Sequence, residues 1–213
     1  MTIKLNLYIF LFLVLFLITN QIEIYALIMI FALIHELAHL ICGVLLGFKP
    51  DTLRIMPLGF SIEFKRRVED YNKKVLKSNI MSVKKIIIAL AGPLANLLIV
   101  VYGLIANMES NIIYSNFLLL TFNLIPIYPL DGGRILKDVL KIFCGNRKAN
   151  IYMNIITNGL FVILTMIASI LLLVYKNISI LIIIIFLWSL IIKENKKYFT
   201  YNKIHKIIDK TYN

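Results

Sequence analysis

LIHELAHLI, residues 33–41, places His35, Glu36 and His39 inside the apolar run YALIMIFALIHELAHLICGVLLGF, residues 25–48. Glu36 is the only formally charged residue in that run. An α-helix needs roughly 17–25 predominantly apolar residues to cross a bilayer, so the run predicts a spanning helix. Ionisable groups are expensive at that depth and persist where something binds or reacts. One stretch thus indicates both a membrane fold and a site of chemistry.

The remaining residues agree with a membrane fold. Of 213 residues, 60% are hydrophobic and only 16% charged, with a mean hydropathy of +0.86. A soluble domain carries about 25% charged residues. Hydropathy predicts six spans, near 5–20, 24–46, 86–106, 112–130, 155–175 and 177–192, the first and last short. The reading is an all-α polytopic membrane protein of six transmembrane helices. Residues 1–192 form the membrane domain, with a three-helix core in spans two to four (24–134). Residues 193–213 form a short basic tail, and neither a PDZ nor a CBS module is expected. Leu5–Ile18 is kept as a span because a single Lys precedes it and ITNQIEIYA offers a poor signal-peptide cleavage site.

The net charge of +12 does not point to nucleic acid. Of the 23 Lys and Arg, all but Lys176 fall on one side of this topology: Lys4, residues 49–85, residues 134–148 and the tail. Positive charge accumulates on cytoplasmic loops, so both termini and the two long loops are expected in the cytosol of a bacterial cell. Attraction to anionic head groups accounts for the basic runs. Cys42 and Cys144 are the only cysteines, both on that reducing side, so no disulfide framework is expected.

Between Gly47 and Lys85, FKPDTLRIMPLGFSIEFKRR alternates around PLG and predicts a short membrane-associated β-hairpin. The following VEDYNKKVLKSNIMSVKK predicts an amphipathic helix on the membrane surface.

Residues four apart share one helix face, so His35 and His39 point the same way. Two imidazoles so placed can hold Zn²⁺, with the intervening Glu36 as general base toward a water that the metal acidifies. HExxH is a short pattern, but two of the three histidines in the chain lie in this one. Burying a carboxylate with two imidazoles for packing alone would be an expensive arrangement.

A catalytic zinc normally takes a third protein ligand. Glu23 lies at the far end of span two and Glu109 in an outer loop, whereas Asp131 in NLIPIYPLDGGR closes span four at the cytosolic end, at a depth similar to the histidines. Asp-Gly-Gly is also good turn chemistry, and the two readings are compatible. Cys42 is the reserve candidate. Span four contains Asn123, Pro126 and Pro129, and its prolines free backbone groups that lipid does not tolerate unless they face protein or a water-filled cavity. In span three, AGPLAN supplies Gly92 for close helix approach and Asn96, which either bonds across a helix interface or helps bind an oxyanion.

HELAH in one span, AGPLAN in the next and NLIPIYPLDGGR in the one after resemble the site-2 protease family of intramembrane zinc metalloproteases, peptidase family M50. The likeness covers about half the chain. It implies one Zn²⁺ per chain held by His35, His39 and Asp131, with Glu36 as the catalytic base. It also implies Asn96, Asn123 and Pro126 as substrate-binding or accessory residues, and no other cofactor. The absence of a PDZ insertion is most similar to the sporulation branch, whose members release a membrane-tethered sigma-factor precursor in the mother cell. A tethered protein substrate, membrane-protein regulators and the bilayer are the partners this implies. Members of that branch often end in a nucleotide-sensing CBS domain, and residues 193–213 are too few for one.

Two other readings stand beside this one. A metalloprotease acting on soluble or prenylated chains would leave the proline-interrupted span unexplained. A metal transporter would need polar residues on both sides of the midplane, and a scaffold would have no use for Glu36.

Overall fold

The computed structural model describes residues 2–57, 59–65, 75–175, 184–185, 188–200 and 203. They fall into two compact units, Met1–Ile125 and Pro126–Asn213.

The first unit opens on strand β1 (Thr2–Leu5) and helix α1 (Tyr8–Ile18), which sequence reading had merged into one span. Eleven residues make only about 16 Å of helix, too short to cross a bilayer. Helix α2 (Ile22–Leu45) follows, with its six buried residues including all three members of the motif. It ends where Gly47 takes φ +86°, so that the N–H of Gly47 reaches Val44 O and that of Phe48 reaches Gly43 O at 2.9 Å each. This satisfies the last carbonyls of the helix in a glycine-dependent left-handed cap.

The expected hairpin is present as β2 (Pro50–Met56) and β3 (Gly59–Phe64), paired antiparallel, with β1 added parallel to the other edge of β2. Its position is the finding. Phe64 packs where a Cβ on Gly43 would stand, Ile62 meets Glu36, Gly59 lies beside Ala32, and Tyr25 donates its hydroxyl to Pro57 O at 2.8 Å. The hairpin therefore follows α2 through about 18 residues, roughly 27 Å of helix, at the depths α2 occupies.

Helix α3 (Val75–Ile105) is continuous, so the part of the expected surface helix from Val75 onward is the beginning of the third span. Residues 66–74 lie outside the described set. Helix α4 (Ser110–Leu124) is shorter than the fourth span expected, because Ile125 turns extended and Pro126 cannot continue the helix. Helices α2, α3 and α4 pack on one another.

In the second unit, Asp131 begins helix α5 (Asp131–Tyr175), which breaks at Gly145 with φ 77° and ψ 165°. Sequence reading had made 134–148 a loop and had left DGG open as a turn. The stretch is helical instead, and a Cβ on Gly133 would stand 2.4–2.5 Å from the backbone of Ile127 and Tyr128, so glycine lets the incoming chain lie on the helix. The Tyr128 N–H is held by Thr157 Oγ1 at 3.2 Å, and burial pushes the Tyr128 hydroxyl above its ordinary pKa, with Glu194 adding to the rise. Asn154, Asn158 and Asn195 close a ring of three amide hydrogen bonds between α5 and the helical residues 188–200.

Among the described residues, three helical stretches are long and apolar enough to cross a membrane: Ile22–Leu45, Asn79–Ile105 and Asp131–Val174. The sixth expected span lies mostly outside the described residues.

Candidate active site

Helical spacing puts His35 and His39 one above the other on the buried face of α2. Their ring centroids lie 4.7 Å apart at 85°, with Nε2 to Nε2 at 3.1 Å. Both rings fit because Gly92 of α3 has no side chain: a Cβ there would come within 2.4 Å of His39 Nε2 and 2.5 Å of His35 Nε2. The small-residue reading of AGPLAN is borne out, and its reason is room for the imidazoles.

The other nitrogen of each ring is fixed by α3. His39 Nδ1 lies 2.6 Å from Ile88 O, and Gly92 N also lies 3.3 Å from it. A carbonyl only accepts, so the shorter contact makes Nδ1 the protonated nitrogen, and the longer Gly92 contact is the weaker one. His35 Nδ1 lies 3.1 Å from the Asn96 amide nitrogen, while Asn96 Oδ1, fully buried, has no partner. With the amide turned so that Oδ1 faces His35, Oδ1 accepts from His35 Nδ1. Both Nε2 atoms then carry lone pairs facing each other at 3.1 Å. Two such lone pairs repel unless they share a proton or a metal ion, so this half of the site fits a metal.

Glu36, also buried, accepts the backbone N–H of Ile62 on β3. Cys42 turns away, its Sγ 3.8 Å from Ile87 O. Asn123 donates to Leu119 O one turn back at 3.0 Å, so its amide is engaged within α4. Two turns earlier on the same face, Asn116 is fully buried with Oδ1 unpartnered. Asn116 was missed by sequence reading, although a lone amide in an apolar run was the signal available. The carbonyl of Ile88 and the N–H of Ile62 were unreadable, since backbone groups leave no mark in a sequence.

Pro126 and Asp131 belong to the second unit. Asp131 is buried at the first position of α5, with Arg134 Nη1 at 3.4 Å. The Asp138 side chain, expected in a loop, is buried against Lys141 at 2.6 Å.

Two overlapping stretches, residues 23–111 and 103–167, match the peptidase family M50. The chain belongs to that family. This M50 chain is a membrane protein, and it resembles the stage IV sporulation protein FB of Bacillus subtilis (strain 168), with 28% identity over 128 residues. The matched part is 56% of this chain and 41% of that relative, so the likeness spans about two fifths of the relative's length. Its fold is that of the site-2 protease from Methanocaldococcus jannaschii, at a TM-score of 0.64 and 24% identity, covering 88% of this chain and 87% of that one.

Proposed function

We propose that this M50 chain is an intramembrane zinc metalloprotease that cuts a peptide bond in or near a membrane-embedded segment of a tethered protein. The observation that carries the reading is the pair of Nε2 atoms at 3.1 Å, each backed at Nδ1 by α3, with Glu36 between them in sequence. His35 and His39 supply two imidazoles, and Asp131, which the resemblance of the three motifs implies as the third ligand, would complete the set; two imidazoles with a carboxylate suit zinc. Such an ion supplies a Lewis acid that polarises a carbonyl and lowers the pKa of water. Glu36 takes the proton from the attacking water and passes it to the leaving amine. The Ile62 N–H orients that carboxylate, and the outer edge of β3, facing α2, suits an extended substrate by strand addition. Asn96 keeps His35 in the metal-binding tautomer, and Asn123 and Pro126 serve the substrate side.

The finer assignment is a sigma-factor precursor released during sporulation. It is supported by the short loop between spans two and three, which leaves no room for a PDZ insertion, and by the sporulation relative. Both termini and the active site face the cytosol, a placement supported by the one-sided distribution of Lys and Arg. Co-expression with membrane-tethered candidates tests the reading: wild type should yield a shortened product on a gel, and Glu36→Gln should not, while retaining its zinc. Cleavage by Glu36→Gln at the wild-type rate would remove the proposed chemistry.

A further inference from the structure

About 10 Å along α2 beyond His39, at the helix end, lies a cavity of about 80 Å³. It is lined by Lys49, Lys65 and Lys84 and by the apolar side chains of Leu46, Phe48 and Met81, with no carboxylate lining it among the described residues. Its frame is well determined. The Gly47 cap turns the chain out of α2, Phe48 packs edge-on against Phe64 at 5.8 Å, and the Lys65 N–H bonds Lys49 O at 2.9 Å to close the base of the hairpin. Lys84 reaches over from α3 to Leu46 O at 3.2 Å. Strand pairing and helix packing thus bring three lysines to the lining of one small space. Like charges held together are unfavourable unless an anion joins them.

Size selects the anion. Pockets for whole small molecules run about 300–1,000 Å³, so this one excludes a nucleotide and admits a single phosphate group. The surroundings select its source. Ile41, Val44 and Leu45 on the adjoining turn of α2 are exposed and apolar, which offers acyl chains a track leading away from the lysines. We infer that the pocket at the C-terminal end of α2 binds the phosphate of an anionic phospholipid through Lys49, Lys65 and Lys84.

The test is native mass spectrometry of the full chain in mixed phosphatidylglycerol and phosphatidylcholine, with readout by retained lipid, independent of proteolysis. Wild type should retain phosphatidylglycerol selectively. Lys49→Gln/Lys65→Gln/Lys84→Gln should lose that preference by roughly tenfold to a hundredfold, since each Lys near an anionic surface contributes on the order of fivefold. Lys49→Gln/Lys65→Gln, which keeps the Lys84 contact with α2, should lose a large part of it. The charge-matched Lys148→Gln/Lys193→Gln/Lys196→Gln, at exposed positions outside the pocket, should keep it. Equal loss in both triple variants would overturn the site in favour of general head-group attraction. Displacement of the lipid by millimolar inorganic phosphate would overturn the lipid source and make the ligand a free phosphate.

Discussion

Ile62 on β3 donates its backbone N–H to the Glu36 carboxylate on α2. The proposed general base is therefore aimed by the hairpin as well as by its own helix. That N–H points away from β2, and proline is tolerated on a strand edge where no ladder bond is lost. Ile62→Pro should thus reduce cleavage at least tenfold with zinc content unchanged, while Ile62→Val, which keeps the donor, should cleave normally. Equal activity of the two variants would show that the contact does not orient the base.

Gly92 is the seat of both imidazoles. A methyl group there must displace rings whose Nε2 atoms lie 2.4 and 2.5 Å from its position. Overpacking of this kind typically costs about 1–3 kcal/mol. Gly92→Ala should lower the melting temperature and reduce bound zinc severalfold, read by metal analysis of purified protein. Full zinc occupancy in Gly92→Ala would mean that the rings do not pack on α3 as described.

Asn96 separates two roles by measurement. If it fixes the His35 tautomer, Asn96→Ala should weaken zinc binding by roughly 10–100-fold in chelator competition, as loss of such a partner does elsewhere. Asn96→Asp, still an acceptor, should retain most of the affinity. Unchanged affinity with a slower turnover would instead assign Asn96 to the oxyanion.

Asp131→Asn should release zinc and stop cleavage, because a neutral amide is a poor zinc ligand. The obvious control, Asp138, is unsuitable. It is buried against Lys141 at 2.6 Å, so Asp138→Asn should lower thermal stability by about 1–3 kcal/mol without changing zinc content. Exposed Asp51 is the proper control, and Asp51→Asn should behave as wild type in both assays.

The sequence by itself determined the class of this protein and much of its chemistry. A 24-residue apolar run with one HExxH motif specifies a helix by length and a paired-imidazole face by period, both local properties. The hairpin was legible as alternation around PLG, and the family in the order of three motifs.

Tertiary structure decided what depends on residues far apart in the chain. Nothing in FSIEF says that its strand runs along α2 from Ala32 to Gly43 or that Ile62 meets Glu36. Nothing in AGPLAN says that Gly92 is small because two imidazoles press on it. The boundaries moved for physical reasons: a four-residue partner set for β1 lay about fifty residues away in β2, Pro126 stopped α4 early, and Gly133 turned an apparent turn into a helix start. The tautomers of His35 and His39 likewise depend on a carbonyl and an amide of α3, because a ring nitrogen takes its proton according to what faces it, and only folding determines that.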